Sequence, residues 1–192
     1  MASANPQPPT EQLFTFVAVV SAICVLAAWI GLRAADAAKL PMPYLRRLDG
    51  VREDAKGGGF LPSVVFGCVF AAGAIFVLHF FHQPNLAGSL WSRMVSVFFA
   101  AGSLEIVIHL FVMSAVIRVA RGRVWAGIVA AAIFFVAFHV AGLYGQNASL
   151  IAASVALNGV FGLALGFLYA RYGFEYVLLC HAIAHLLAVS LA

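Results

Sequence analysis

Charged side chains are scarce in this chain, and their scarcity excludes most classes of soluble protein. Of the 192 residues, only 9% are charged and 64% are hydrophobic, and the mean hydropathy is +1.03. The interior of a soluble domain of this length is too small to bury so much apolar surface. The composition therefore predicts an integral membrane protein.

Cysteine is scarce as well. Cys24, Cys68 and Cys180 each fall within a long apolar run, and no two of them form a CxxC pair. This pattern excludes a disulfide-rich scaffold and a metal site built on cysteines. We expect all three to be small buried hydrophobic side chains.

Long apolar runs, in contrast, are abundant. They cover roughly 12–32, 60–81, 94–117, 124–143, 149–170 and 174–192, and each is close to the ~20 residues that a membrane-spanning helix needs. The predicted fold is an all-α integral membrane protein, a bundle of about six transmembrane helices that forms a single domain over 1–192. Residues 1–11 contain no Lys or Arg. The first run therefore lacks the basic region of a cleavable signal peptide, and we expect it to be retained.

The basic residues predict the orientation of the bundle. Ten of the eleven Lys and Arg residues lie in the connections after the first, third and fifth runs. Only Arg93 lies elsewhere, in the connection after the second run. By the positive-inside rule these three connections are cytoplasmic and both termini are extracytoplasmic. We expect a plasma or inner membrane location. The net charge of +4 then reflects topology, so we expect membrane lipids but no nucleic acid among the partners.

The longest polar segment, 33–59, is predicted to be a cytoplasmic connection. Tyr44, Leu45, Leu48 and Val51 recur in it at helical spacing among charged residues. A short helix lying in the membrane interface is consistent with this pattern.

Ionisable side chains inside the runs are the first candidates for function, because burying them in a bilayer is costly. Glu105 is the only acid well inside any run, and His109 follows it four residues later, on the same helical face. His139 lies in the fourth run, one turn after Phe135, and His181 and His185 stand one turn apart in the sixth. The five ionisable groups come out at similar depths, at ~1.5 Å per residue. The sequence therefore predicts that they share one polar pocket.

The remaining polar residues in and near the runs are assigned lesser roles. His79 and His82 lie at the outer end of the second run, where an interfacial position explains them. Asn158, Gly162 and Gly166 are spaced by four in the fifth run. They form a small-residue face suited to close helix packing, across which Asn158 could form a hydrogen bond. We also predict that Asn158 is a supporting residue of the pocket.

The order of these motifs resembles the CPBP family, the CAAX-protease and bacteriocin-processing type of intramembrane endopeptidase. The resemblance covers roughly 100–192, which we treat as a CPBP-like core. Three motifs make up the resemblance, in chain order. They are a predicted helix with a glutamate, "FVAFH" from Phe135 to His139, and "GFLYARYGFEYVLLCHAIAHLL" near the C-terminus. The family pattern is a double glutamate followed by Arg, then Phe-x-x-x-His, then His-x-x-x-Asn or a similar residue.

Three positions depart from that pattern. Leu104 stands in place of the first glutamate, His109 in place of the arginine, and His185 where asparagine is commonest. The resemblance implies that Glu105, His139 and His181 are catalytic, with Phe135 as the aromatic partner of His139. His109 and His185 would then be supporting residues.

Three kinds of function remain open at this stage. If the chain is a peptidase, the resemblance implies hydrolysis of a membrane-proximal protein or peptide substrate, with Glu105 as general base on a water molecule. The same side chains also suit a metal-dependent membrane enzyme of other chemistry, in which Zn, Fe or another transition metal is held by some of five ligands. These ligands are Glu105, His109, His139, His181 and His185. A non-catalytic binding or transport protein on the same fold is the third. The sequence leaves the oligomeric state open.

Overall fold

The computed structural model describes residues 10–48, 58–81 and 90–191 of the chain, and this part is helical apart from short connections. The helices are α1 (Thr10–Ala37), α2 (Leu45–Leu48), α3 (Phe60–Phe80), α4 (Leu90–Glu105), a π-helix (Ile106–Met113), α5 (Ser114–Val119), α6 (Val124–Ala141), α7 (Ala148–Tyr172) and α8 (Phe174–Leu191). The helices α4 and α5 and the π-helix between them form one continuous rod.

Six segments of the described chain are long and apolar enough to cross a membrane, which confirms the predicted fold class. They are Val17–Ala37, Phe60–Phe80, Ala101–Val119, Val124–Ala141, Ala148–Tyr172 and Phe174–Leu191. Large apolar side chains lie on the outer surface of the bundle, for example Val25, Phe99 and Trp125, each about 70% exposed. Exposure of so many large apolar side chains is expected of a surface that faces lipid. The chain is therefore an all-helical integral membrane protein.

The bundle places α8 at its centre. This helix packs against α3, α4 and α7, while α6 pairs with α7 and the π-helix contacts α1 and α6. The buried core runs between these elements and includes Met113, Phe135, Leu165 and Val177. Consequently, α8 and the π-helix are the two elements whose side chains have least access to the surroundings of the bundle.

The connection after α1 folds back onto the corner between α7 and α8. The Glu175 Oε1 atom accepts hydrogen bonds from the backbone N–H groups of Tyr44, at 2.9 Å, and Leu45, at 2.8 Å. Gly173 has a φ of +127°, and a Cβ atom there would lie 2.7 Å from Cδ of Pro43, so both the backbone conformation and the contact require glycine.

The four-residue helix α2 lies in the segment for which a short helix was predicted. Val51, Arg52 and Lys56 lie outside the described residues. The position of α2 at the membrane interface, and the division of the chain into a connection and a core, stay predictions.

The cysteines differ in part from expectation. All three are free, but only Cys180 is buried, whereas Cys24 is half-buried and Cys68 is exposed. The prediction that all three are buried is therefore wrong for Cys24 and Cys68. In a membrane protein an apolar side chain can face lipid at no cost, so membership of an apolar run does not decide burial.

Candidate active site

The site is built around Glu105, the last residue of α4. Its side chain is 0% exposed, as is that of His109, and His109 Nδ1 contacts Glu105 Oε2. Neither of these two atoms makes a hydrogen bond of regular geometry to a described residue. The predicted pairing of the two side chains along one helix face is present in the structure.

The backbone that follows Glu105 is a π-helix over Ile106–Met113. A π-helix has i→i+5 hydrogen bonds and about 4.4 residues per turn, compared with 3.6 in an α-helix. Four such steps cover roughly 330°, compared with about 400° in an α-helix, so a residue four positions on is displaced by roughly 70° around the helix axis from its α-helical position. The side chains of Glu105 and His109 remain in contact across this turn.

A second histidine reaches Glu105 from α8. His181 is 1% exposed, and its Nδ1 atom lies 2.5 Å from Glu105 Oε1. The two carboxylate oxygens are thus each contacted by one imidazole, one from the π-helix and one from α8. The Nε2 atom of His181 is buried and has no hydrogen-bond partner among the described residues.

His139 approaches the same region from α6. Its Nδ1 atom donates to the backbone carbonyl of Phe135 at 2.8 Å, which leaves Nε2 as the ring nitrogen with a lone pair. The ring centroids of His139 and His181 are 6.4 Å apart. The helix α6 therefore contributes an imidazole whose tautomer is set by its own backbone.

His185 completes the cluster one turn after His181. The two ring centroids are 4.6 Å apart, and His185 is half-buried. One ring nitrogen from each of His139, His181 and His185 can be chosen so that the three atoms lie within 4.8 Å of one another. The structure thus brings together all five ionisable residues named from the sequence, in two joined groups that share His181.

The Phe135 ring packs against the histidine rings of this cluster. It is fully buried, and its ring centroid lies 4.2 Å from that of His139, 5.4 Å from that of His181 and 6.2 Å from that of His109. Phe161 of α7 packs edge-on against His181 at 5.6 Å. Sequence reasoning missed Phe161, because a phenylalanine in an apolar span has no feature that distinguishes it from a lipid-facing neighbour.

The small residues of α7 allow α6 to approach closely. A Cβ atom on Gly162 would lie 2.9 Å from the backbone Cα of Ala132, and one on Gly166 would lie 3.0 Å from Cγ2 of Ile128. The predicted close helix packing is therefore present.

Asn158 does not behave as predicted. Its Nδ2 atom donates to the backbone carbonyl and the hydroxyl of Ser154, at 2.9 and 3.1 Å, within its own helix. The prediction of a hydrogen bond across the helix interface is wrong, because this local acceptor satisfies the amide. No hydrogen bond joins Asn158 to the site among the described residues.

The other histidines lie away from the cluster or outside the described chain. His79 is exposed near the C-terminal end of α3. His82 lies outside the described residues. For His79, this position matches the lesser role assigned from the sequence.

One further buried polar pair escaped the sequence analysis. The hydroxyl groups of Ser114 and Tyr169 are 3.0 Å apart, and both residues are fully buried. The pair joins α5 to α7. A serine and a tyrosine in separate spans carry no sequence signal for such a contact.

Comparison with known proteins identifies the family. A model of the Rce1-like family, described as type II CAAX prenyl endopeptidase Rce1-like, matches residues 86–187. No curated protein and no solved structure matches the chain. The matched segment is more than half of the chain and contains all five ionisable residues of the site. It confirms the resemblance drawn from the motifs, and the chain belongs to the Rce1-like family of type II CAAX prenyl endopeptidases.

Proposed function

We propose that the chain is an intramembrane endopeptidase in which Glu105, His139 and His181 activate water for hydrolysis of a peptide bond. Membership of the family suggests CAAX-type intramembrane protease activity. The observation that carries the assignment of residues is a fully buried carboxylate contacted by imidazoles from two separate elements. Such a group is costly inside a bilayer, and a structural role alone gives it little to offset that cost.

Glu105 is suited to act as the general base. Each of its oxygens is contacted by one imidazole, and a carboxylate oxygen has a further lone pair that can accept a proton from water. His109 and His181 hold the carboxylate from two sides, which fixes the direction in which that lone pair points. In this role Glu105 takes a proton from water while the oxygen of that water attacks the scissile carbonyl. The same proton then passes from Glu105 to the leaving amine as the C–N bond breaks.

His139 and His181 would bind the attacking water. Each has Nδ1 engaged, by Phe135 and Glu105 respectively, which leaves Nε2 with a lone pair. This lone pair can accept a hydrogen bond from the water and hold it in position for attack. The Phe135 ring packs beneath His139 and His181 and restricts their rotation. His185 supports His181 from the next turn.

The substrate that we propose is a protein or peptide whose cleaved segment lies next to the membrane. The description of the family names a CAAX prenyl endopeptidase. The substrate that we consider first is therefore a C-terminal segment that carries a prenylated cysteine. Such a substrate is anchored in lipid, from which a site inside a helical bundle can be entered laterally.

We further propose that both termini are extracytoplasmic, as the basic residues predict. The basic connections after the first and the fifth spans meet in the structure, because Glu175 binds the backbone of Tyr44 and Gly173 packs on Pro43. Basic segments that share one end of the bundle are what the positive-inside rule requires.

The test uses the full chain in proteoliposomes and two fluorogenic peptides that differ only in prenylation of the CAAX cysteine. We expect cleavage of the prenylated peptide, and a loss of about 10²–10⁴-fold in rate for Glu105→Gln, the range expected for a general base. His79→Ala serves as the matched control, because His79 is exposed in the last turn of α3 and takes part in none of the contacts described for the site. It should keep the wild-type rate.

Two results would contradict the proposal. One is wild-type protein, shown to be folded by size-exclusion chromatography and circular dichroism, that cleaves neither peptide. The other is a Glu105→Gln variant that is as active as the His79→Ala control.

A further inference from the structure

We propose that His139, His181 and His185 together bind one transition-metal ion, and that Glu105 is the carboxylate that orients His181 toward it. The family pattern has Asn or a similar residue at the position of His185. The third imidazole of the site is therefore a feature of this chain and not of the family pattern. It goes beyond the proposed function, because hydrolysis by Glu105 and a water molecule does not require a metal.

The first support is the spacing of the ligand atoms. One nitrogen from each of the three imidazoles lies within 4.8 Å of the others. Zinc–nitrogen bonds of about 2.0–2.1 Å in a tetrahedral site place neighbouring nitrogens roughly 3.3 Å apart. The three rings therefore need to close by no more than about 1.5 Å, which small side-chain rotations provide. Two helices, α6 and α8, supply all three ligands.

The second support is the tautomer of two of the three rings, His139 and His181. Metal-binding histidines usually donate their other N–H to a carboxylate or a backbone carbonyl, which orients the ring. His181 donates Nδ1–H to Glu105, and His139 donates Nδ1–H to the Phe135 carbonyl. In both residues the nitrogen left over is Nε2, which carries the lone pair that a metal requires.

The third support is a buried polar atom that has no partner. His181 Nε2 is buried and makes no hydrogen bond to any described residue, and a buried polar atom without a partner is unfavourable. A metal ion between His181, His139 and His185 would satisfy it. A divalent ion there would also offset the negative charge of Glu105, which lies on the other side of the His181 ring.

The donor set indicates the class of metal. Three neutral imidazoles favour Zn, Cu, Ni, Co or Fe over Mg or Ca, which prefer oxygen ligands. Three protein ligands leave a fourth position open for water, as in catalytic zinc sites. His109 lies against the opposite oxygen of Glu105. Neither His109 nor Glu105 belongs to the group whose ligand atoms lie within 4.8 Å of one another, so the proposed ligand set leaves both out.

The test measures metal binding directly and does not depend on cleavage. Full-length protein with a tag that lacks histidine is passed over a chelating resin in detergent, loaded with Zn²⁺ or Co²⁺, and freed of excess ion. We expect one metal per chain by mass spectrometry, and visible absorption bands of Co²⁺ bound to nitrogen ligands.

Variants separate ligands from the orienting residue. His139→Ala and His185→Ala should each weaken binding by more than about 100-fold, while Glu105→Gln should weaken it by about 10–100-fold, as expected for a carboxylate behind a ligand. His79→Ala should bind as wild type. The site is refuted if wild-type protein retains no stoichiometric metal. It is equally refuted if His139→Ala and His185→Ala bind as tightly as His79→Ala.

The peptidase assay in a chelator keeps the two proposals apart. Cleavage by a protein that binds no metal would overturn the metal site and leave the proposed function standing. Stoichiometric metal in a protein that cleaves neither peptide would overturn the proposed function and leave the metal site standing.

Discussion

The contact between α6 and α7 provides the sharpest test of the packing that positions the site. Gly159 and Gly162 lie three residues apart in α7, but their surroundings differ. A Cβ atom on Gly162 would lie 2.9 Å from Cα and 3.2 Å from Cβ of Ala132, whereas one on Gly159 would lie 3.7 Å from a methyl group of Val136. Carbon atoms pack best at about 3.5–4.0 Å. Only Gly162→Ala therefore forces a backbone to move, by roughly 0.6 Å.

The magnitude follows from a comparison of the two alanine variants. Both replace a glycine in the middle of the same helix, so any gain in helix propensity is common to both and cancels in the difference. Overpacking of a rigid contact costs about 1–3 kcal/mol. We expect Gly162→Ala to have a free energy of unfolding lower than that of Gly159→Ala by this amount.

The assay is reversible unfolding in mixed micelles, titrated with a denaturing detergent and followed by circular dichroism. A Gly162→Ala variant as stable as Gly159→Ala, or more stable, would refute the close approach of α6 to α7. The loss should extend to function. The displaced helix α6 carries His139, so Gly162→Ala should also reduce peptide cleavage while Gly159→Ala should not.

Two further predictions use the same unfolding assay. Phe135→Ala removes a fully buried ring and should cost about 3–5 kcal/mol, whereas Phe135→Leu should cost less; equal losses would argue against the ring contacts. Ser114→Ala and Tyr169→Phe each break the hydroxyl pair that joins α5 to α7, so a double-mutant cycle should give a coupling energy of about 0.5–2 kcal/mol. Strict additivity of the two changes would rule out this hydrogen bond.

The membrane-spanning architecture was predictable because it depends on composition over long windows. Twenty apolar residues are needed to cross a bilayer, and each of the six predicted runs overlaps one observed span. The five ionisable side chains could be named for a similar reason. A charge inside an apolar run is so costly that its presence already requires an explanation.

The details of the site were not predictable from the sequence. The π-helix after Glu105 changes the hydrogen-bond register without requiring a distinctive residue, so Ile106–Met113 looks like any other apolar helix. The edge-on packing of Phe161 on His181 depends on how α7 meets α8. Asn158 was assigned a partner across an interface, but the nearer acceptor Ser154 in its own helix competes for the amide, and spacing alone cannot rank the two.

The departures from the family pattern make physical sense when Leu104 and His109 are considered together. The pattern has two glutamates and an arginine, which carry a combined charge of −1. This chain has Leu104 and Glu105 with His109, which carry the same charge when the imidazole is neutral. Without the arginine alone, the pattern would have two carboxylates together in the bundle interior, with no positive charge beside them. Without the first glutamate alone, it would have one glutamate paired with the arginine, and the net charge of the pair would be zero.

Both positions are well packed in this chain. Leu104 is 9% exposed and packs in the hydrophobic core, and His109 is 0% exposed against Glu105. A decaying site would be under no constraint to lose one charge of each sign. Restoring one partner alone should therefore destabilise the protein. Leu104→Glu should lower the free energy of unfolding, and adding His109→Arg should recover part of the loss. If the double variant unfolded more easily than Leu104→Glu alone, the two positions would not be compensating.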